Sequence, residues 1–334
     1  MNVLLIEINP FASATTPISL GYIAAYLKSN GFGVKILAVG EDMSLSRSGF
    51  HELINSFKPA LIGLTAYQRT MLYVRGFAGL IKSIDNNIKI IIGGPQATFM
   101  PSSGFAELTD IDYICRSSGE VTVLSVAQAI KNGASFSNLS GVSYKDSDGT
   151  VYDTPELEGF TDLDQYPSAY LNDVFDYSHM REAIMLTSRG CPHHCIYCYT
   201  PHAFKHKITF HSVDRVIEEI KWISKKGVKK LWFADPNISF KPERLIELLD
   251  RILSENLEFE MWKRTRADLV TPELMKKMKN AGVKTIAFGL ESASERVQAR
   301  LGKNLALDKV AQAIKMAQHQ EIEVELFTIS GLPY

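Results

Sequence analysis

The chain has 334 residues, of which 46% are apolar, and its formal net charge is −1. This length predicts about two domains, and the apolar content is sufficient for a core in each. The near-neutral charge argues against a nucleic-acid partner, and no apolar run reaches the ~18–20 residues that a membrane span needs. The N-terminus lacks the basic region and the cleavage site of a signal peptide, so we expect a cytoplasmic protein.

Residues 1–135 alternate short apolar runs with amphipathic stretches. Near-continuous apolar strands between helices predict a parallel sheet covered on both faces, a doubly wound α/β fold of the Rossmann or flavodoxin-like kind. Ligands of such sheets bind at the carboxyl ends of the strands, which here carry Asn9-Pro10, Thr65–Arg69 and Gly93–Gln96. The predicted strands are Val3–Ile8, Val34–Val39, Leu61–Thr65, Ile88–Ile92 and Tyr113–Cys115.

Residues 136–180 interrupt this alternation. Asp148-Gly149 lies between two short β-type runs, which predicts a hairpin with a primed turn. The acidic, proline-containing stretch after it predicts an extended linker. We therefore expect a boundary within 136–180 and a second domain over 181–334.

Three of the four cysteines, Cys191, Cys195 and Cys198, share one loop with the spacing C-x3-C-x2-C. A structural zinc site normally closes four ligands, often as two Cys pairs, and the sequence has no second pair. Iron–sulfur clusters usually have four thiolate ligands, so three would leave one iron of a cubane open to a substrate or cofactor. The loop predicts a catalytic cluster, with a zinc knuckle or a ferredoxin-like cluster as alternatives. The fourth cysteine, Cys115, is interpreted as a small buried hydrophobic residue.

Strands and helices alternate again after this loop. Repeated βα units predict a β/α barrel with its active site at the carboxyl ends of the strands. The chain stops just past the fifth predicted strand, so we expect a truncated barrel from a longer protein. The predicted strands are Ala183–Leu186, Lys230–Ala234, Phe259–Lys263, Thr285–Leu290 and Val324–Ile329.

The cysteine loop resembles the cluster loop of the radical SAM superfamily, C-x3-C-x-aromatic-C, with Tyr197 in the aromatic place. The resemblance implies that Cys191, Cys195 and Cys198 hold a 4Fe–4S cluster whose open iron chelates S-adenosylmethionine (SAM). One electron, from a donor such as flavodoxin or ferredoxin, then cleaves SAM to methionine and a 5′-deoxyadenosyl radical. By the same resemblance, the SAM-binding residues are Tyr197, Asp235, Pro236, Asn237, Arg264, Glu291, Ser292 and Gly331, the last within Gly331-Leu332-Pro333. Arg266 is a further candidate for a carboxylate of SAM or substrate, or else a surface partner of Asp268.

Residues 1–135 resemble the cobalamin-binding domain that precedes many radical SAM domains, through Thr16–Gly21, Gly93-Gly94-Pro95 and Ser118-Gly119-Glu120. The first loop, Asn9–Ala14, lacks the Asp-x-His-x-x-Gly motif that supplies a cobalt-ligating histidine elsewhere, so Arg69 or Tyr67 is expected below the cobalt. The alternative is a fold of this type that has lost its cofactor. The resemblance implies cobalamin contacts from Thr65, Tyr67, Arg69, Gly93, Gly94, Pro95, Gln96 and Glu120.

Together the two resemblances imply a cobalamin-dependent methyltransferase that acts on an unactivated carbon of a small-molecule or peptide substrate under anaerobic conditions. One alternative is a radical SAM cyclase or C–C bond-forming enzyme whose N-terminal domain binds no cobalamin. Another, from a different class, is an iron–sulfur or corrinoid redox sensor. The sequence does not distinguish among possible substrates.

Overall fold

A computed structural model describes residues 1–11, 16–41, 46–157, 161–178 and 180–332. The chain divides into two compact units, Met1–Phe160 with Tyr166–Asp176, and Thr161–Gln165 with Tyr177–Tyr334. The change from one unit to the other thus falls within the predicted linker. Among the described residues, no helix has the length and apolar character to cross a bilayer.

The first unit is built on one seven-stranded sheet. Its strands are β1 (Asn2–Asn9), β2 (Gly33–Gly40), β3 (Pro59–Thr65), β4 (Lys89–Gly93), β5 (Tyr113–Cys115), β6 (Val142–Lys145) and β7 (Val151–Asp153). Their order is β2-β1-β3-β4-β5-β6-β7, with β1 to β5 parallel and the last two antiparallel. The predicted flavodoxin-like fold is confirmed. The hairpin, which the sequence places between the domains, instead extends this sheet because β6 pairs with β5.

Helices cover both faces of this sheet, because its central strands are apolar on both sides. They are α1 (Ile18–Ser29), α2 (Arg47–Phe57), α3 (Met71–Ile84), α4 (Pro95–Thr98), α5 (Ser102–Ala106) and α6 (Gly119–Asn132). One core lies under α1 and α6, and the other lies under α2 and α3. The strand order reverses between β1 and β3. Ligands of open α/β sheets bind outside the carboxyl ends of the strands at such a switch point.

The second unit contains a five-stranded sheet and a separate antiparallel pair. Its strands are β8 (Glu182–Met185), β9 (Ser188–Gly190), β10 (Ile208–Phe210), β11 (Lys230–Phe233), β12 (Glu260–Thr265), β13 (Val283–Glu291) and β14 (Glu323–Thr328). The sheet has the order β14-β13-β12-β11-β8 and is parallel throughout, whereas β9 pairs with β10. Strands that follow one another along the chain are neighbours, as in a β/α barrel.

Side chains cap the first turn of several helices of this unit. Ser212 accepts a hydrogen bond from the Arg215 amide (3.1 Å), and Thr271 accepts one from the Leu274 amide (3.2 Å). The apolar faces of these helices pack on the sheet. Because its strands are parallel, their carboxyl ends lie together at one edge. The helices are α7 (Tyr199–Ala203), α8 (Val213–Lys225), α9 (Pro242–Ser254), α10 (Pro272–Asn280), α11 (Glu295–Arg300) and α12 (Leu307–His319).

Candidate active site

The cysteine loop runs from the end of β9 to the start of α7, and its entry depends on Gly190. This residue has φ +86°, and a Cβ atom there would collide with the backbone oxygen of Lys207. The Cys198 amide donates to the Cys195 carbonyl (3.2 Å), which closes a turn between two of the predicted ligands. Cys191 and Cys195 are buried and Cys198 is half-buried. The three thiols are thus held in one compact, largely covered loop.

The donor set of this loop fits a 4Fe–4S cluster. Burial raises the pKa of Cys191, as do the nearby thiols of Cys198 and Cys195, while a backbone hydrogen bond from His193 and the charge of Arg266 lower it. Within the described ranges, no three His, Cys, Asp or Glu side chains have the spacing that could hold a metal ion. Ligands of a zinc knuckle converge on one ion, whereas ligands of a cubane bind different irons. The three neighbouring thiols supply the donors of a cubane with one open iron, so the loop fits the cluster.

Arg266 supplies a positive charge beside the cysteines. Its guanidinium donates to the Asp268 carboxylate (2.8 and 3.0 Å) and to the Lys303 carbonyl (3.3 Å), and it interacts electrostatically with Cys195 and Cys191. The pair with Asp268 is present, as one interpretation of the sequence expected. The charge of Arg266 lowers the pKa of Cys191, against the larger effect of burial.

Asp235, at the end of β11, is completely buried. Its carboxylate accepts hydrogen bonds from the Thr187 amide (3.1 Å), the Thr187 hydroxyl (3.0 Å) and the Ser188 hydroxyl. Burial raises the pKa of Asp235, while those hydrogen bonds and Arg244 lower it. The residue thereby fixes the segment that leads into the cysteine loop. Its contact with SAM stays a prediction, as does that of Pro236.

Lys263, on β12, is a buried cation beside Asp235 that is absent from the residues predicted from the sequence. It is 0% exposed, and its Nζ has no hydrogen-bond partner among the described residues. Burial lowers the pKa of Lys263 to about 7, although Asp235 acts in the opposite direction. Met261, Lys263 and Thr265 alternate on the buried face of the strand. This alternation along β12 is the feature of the sequence from which a buried Lys263 could have been predicted.

Asn237 presents an amide next to Arg266. Its Oδ1 accepts from the Thr265 hydroxyl (3.0 Å) and the Arg266 amide (3.4 Å), while its buried Nδ2 has no partner within the described part of the chain. A buried donor without an acceptor marks a place for a ligand or a water molecule. Arg264 lies elsewhere on β12, its guanidinium 5.5 Å from the Phe327 ring.

Glu291 ends β13 in a left-handed conformation, with φ +61°. Its Oε1 lies 2.8 Å from Lys303 Nζ, which donates to the Tyr197 hydroxyl at 3.4 Å. Burial raises the pKa of Tyr197, as do the neighbouring Cys195 and Glu291. Two predicted SAM-binding residues, Glu291 and Tyr197, thus meet at a lysine that the sequence did not single out.

Of the other predicted SAM-binding residues, Ser292 makes a local hydrogen bond and Gly331 is exposed. The Ser292 hydroxyl accepts from the Ser294 amide (3.2 Å). Gly331 is exposed, and a Cβ atom there would meet no atom of the described residues within 4 Å. Pro333 lies outside the described residues. The roles of Ser292 and Gly331 stay predictions.

At the switch point of the first unit, the loops after β3 and β4 are joined backbone to backbone. The Ala66 amide donates to the Gly93 carbonyl (2.7 Å), and the Gln96 amide donates to the Ala66 carbonyl (3.1 Å). Gly94 has φ +109°, and a Cβ atom there would lie 3.0 Å from the Ala66 oxygen. Thr65 accepts from the Ile8 amide (3.3 Å), which links β3 to β1. These contacts bring the predicted residues Thr65 and Gly93–Gln96 to one edge of the sheet.

Aromatic side chains are exposed at the same edge. Phe11, Tyr67 and Phe99 follow β1, β3 and β4 and are 52%, 42% and 50% exposed. Arg69 donates to Asn9 Oδ1 (3.2 Å), with its guanidinium 5.5 Å from the Phe11 ring. Exposed apolar surface at a ligand-binding edge fits a large, flat cofactor. The rest of the first loop, residues 12–15, lies outside the described residues.

Glu120, also predicted to contact cobalamin, lies at the start of α6 and is 4% exposed. Its carboxylate accepts from the Ser118 hydroxyl (2.9 Å), which is also 2.9 Å from the Tyr166 hydroxyl. The carboxylate is therefore engaged inside the unit, and its role toward cobalamin stays a prediction.

Comparison with known proteins identifies both units. Residues 185–334 match the radical SAM superfamily and residues 6–127 match the B12 binding domain. An uncharacterised methyltransferase of Pyrococcus horikoshii is 30% identical over 95% of this chain and 70% of its own length. The anaerobic magnesium-protoporphyrin IX monomethyl ester cyclase of Rubrivivax gelatinosus is 26% identical over 95% of this chain and 59% of its own length.

The solved structure of the radical SAM methyltransferase TsrM from Kitasatospora setae, with tryptophan and a SAM analogue bound, shares the fold. It superposes with a TM-score of 0.84 at 17% identity and covers 99% of this chain and 68% of its own. The radical SAM domain implies a 4Fe–4S cluster and SAM, and the B12 binding domain implies cobalamin. The chain belongs to the radical SAM superfamily and combines its catalytic domain with an N-terminal B12 binding domain.

Proposed function

We propose that this chain carries the catalytic domains of a cobalamin-dependent methyltransferase that acts on an unactivated carbon of a small molecule or peptide. The observation that carries the proposal is the presence of both cofactor domains in one chain whose 30% identical relative is named a methyltransferase. The three grouped thiols and the aromatic edge at the switch point support it independently. Thiols are the ligands that an iron–sulfur cluster requires, and exposed aromatic side chains form the kind of surface that a large, flat cofactor requires.

When bound, the cluster and SAM supply the radical that removes a substrate hydrogen, and cobalamin supplies the methyl group. The residues of the chain bind and orient. Arg266 places a positive charge beside the thiols, Asn237 Nδ2 offers a donor to a carboxylate, and Glu291 offers an acceptor to ribose hydroxyls. Asp235 holds the strand that leads to the first cysteine.

The test is anaerobic reconstitution of the full-length protein with iron, sulfide and hydroxocobalamin, followed by SAM and dithionite. We expect 5′-deoxyadenosine by chromatography and a bound corrinoid in the visible spectrum. Formation of 5′-deoxyadenosine by a protein whose visible spectrum shows the cluster but no corrinoid bands would contradict the methyltransferase and favour a cyclase, which the 26% identical relative makes the second candidate. Absence of 5′-deoxyadenosine would contradict both and favour a redox sensor.

Substitution of Gly94 by alanine is expected to weaken cobalamin binding about tenfold, because a side chain there meets the Ala66 oxygen and blocks close approach of a ligand to the backbone. Gly149→Ala is the matched control, since Gly149 also has a positive φ (+87°) but, in the part of the chain that the structure describes, no atom lies within 4 Å of a Cβ atom there. Retained corrinoid absorbance measures the effect. Equal retention by the two variants would show that Gly94 does not line the cofactor.

We also propose that an acidic one-electron carrier of the flavodoxin or ferredoxin kind docks beside the cysteine loop. Residues 186–211 contain no Asp or Glu, but contain three Arg or Lys and five of the eight histidines in the chain. Lys205 and Lys207 are exposed, and the Lys207 backbone lies directly against Gly190, the residue before Cys191. Basic side chains near the electron acceptor steer an acidic donor toward it.

Charge reversal at both lysines, Lys205→Glu with Lys207→Glu, is expected to slow SAM cleavage driven by reduced flavodoxin about tenfold at low salt. Cleavage driven by dithionite should change little, because that reductant needs no protein docking. Lys309→Glu with Lys315→Glu, both at exposed positions on α12, controls for net charge. Equal loss with both reductants would contradict the docking proposal.

A further inference from the structure

Lys303 lies in the short connection between α11 and α12. It is 8% exposed, and lysine is seldom buried to this extent without a partner. None of the motifs in the sequence points to it. Its contacts, however, lie at the cysteine loop and at the end of β13.

The connection follows the cysteine loop closely. The Leu301 carbonyl accepts from the Ile196 amide (3.0 Å), inside the C-x3-C-x2-C motif. Gly302 has φ +66°, and a Cβ atom there would lie 2.6 Å from the His194 oxygen. Two successive residues before Lys303 are therefore in backbone contact with the loop that carries the predicted ligands.

The ammonium of Lys303 joins the two predicted SAM-binding side chains. It lies 2.8 Å from Glu291 Oε1 and 3.4 Å from the Tyr197 hydroxyl. The backbone makes room for this pair, because a Cβ atom at Gly289 would lie 2.5 Å from Lys303 Nζ and 2.6 Å from Glu291 Oε1. The positive φ of Glu291 is a conformation that residues other than glycine rarely adopt, and such strain is concentrated at functional sites.

We propose that Lys303 is a positioning residue for SAM, which holds the Glu291 carboxylate and the Tyr197 hydroxyl in one fixed arrangement beside the cluster. The inference rests on the proposed function, since it assigns SAM to this site. Loss of the cation would leave a nearly buried carboxylate without its counter-charge, so Glu291 would turn toward water. The acceptor for the ribose would then be lost although Glu291 itself is still present.

The test compares Lys303→Met with Lys303→Arg in the reconstituted full-length protein, with Lys309→Met as the exposed control on α12. We expect Lys303→Met to raise the SAM dissociation constant and KM about tenfold, with kcat changed less than about twofold, because the lost interaction serves binding. Lys303→Arg should restore most of the affinity. Hydrogen exchange at the Ile196 amide, which does not depend on turnover, should accelerate in Lys303→Met and not in Lys309→Met.

Wild-type SAM affinity in Lys303→Met would overturn the inference and leave the proposed function intact, provided that the wild-type protein cleaves SAM. An equal loss of affinity, kcat and thermal stability in both Lys303 variants would also overturn it, because that pattern indicates a purely structural role. A wild-type protein that does not cleave SAM would instead refute the proposed function. The exchange rate at Ile196 would still report whether Lys303 holds the loop.

Discussion

Substitution of Cys198 by alanine is expected to abolish 5′-deoxyadenosine formation, with a fall of more than about 10³-fold in rate. The three thiols share one loop, and a cubane that loses one of three protein ligands is not retained. Iron and sulfide content after anaerobic reconstitution should fall in parallel. The measurement pairs metal analysis with chromatography of the products.

Cys115→Ala is the matched control, because it also removes one thiol but at a site in the other unit. Cys115 is 5% exposed on β5, and burial raises its pKa to about 11, so the group is an uncharged thiol. A buried thiol of this kind is chemically inert. We expect unchanged iron content and turnover. A Cys198→Ala protein with full iron content and activity would refute the assignment of the cluster ligands.

The strands could be predicted from the sequence because their apolar runs are local signals. Parallel strands buried on both faces are apolar along nearly their whole length, as in Val3–Ile8 and Ile90–Ile92. The hairpin was recognised by the same local reasoning. Its place in the first sheet was not predicted, because the turn at Asp148-Gly149 does not indicate which strand β6 will pair with.

The candidate site was predictable only where a motif is contiguous. The spacing of the cysteine motif is contained in eight consecutive residues, whereas Lys303 reaches Tyr197 across 106 positions and Asp235 reaches Thr187 across 48. Such partners become visible only when the strands are assembled. Asp235 illustrates the consequence. Its place at the end of β11 is as expected, but its carboxylate is engaged with the strand before the cluster loop.

Substitution of Lys263 by methionine is expected to stabilise the protein, most strongly at and below pH 7. The side chain is completely buried without a hydrogen-bond partner among the described residues, and it contacts the Phe233 ring through Nζ at 5.5 Å. A methionine of similar length fills the same space without a charge. Asp235 keeps its hydrogen bonds from Thr187 and Ser188 in the variant.

The pH dependence follows from the direction of the pKa shift. The pKa of Lys263 falls from its ordinary value of 10.5 to about 7 in the folded chain. Between these values the unfolded chain binds a proton that the folded chain does not, so the stability of the wild-type protein rises with pH across this window. Below pH ~7 both states carry the proton, and the full cost of burying the charge is present, up to about 5 kcal/mol. The advantage of the variant should therefore shrink as pH rises from about 7 toward 10.

Urea unfolding of both proteins at about pH 6 and about pH 9 measures this difference, with Lys284→Met, an exposed lysine on β13, as the control. A variant no more stable than the wild type at pH ~6 would show that burial of the Lys263 charge does not lower stability. A gain that does not change with pH would show that the pKa of Lys263 is not lowered in the fold. If the gain is found, Lys263 lowers the stability of the folded chain at a position beside Asp235, whose carboxylate accepts hydrogen bonds from Thr187 and Ser188. A reduced rate of SAM cleavage in the stabilised variant would then indicate that the cation beside Asp235 is needed to set the cluster loop, because only stability would otherwise change.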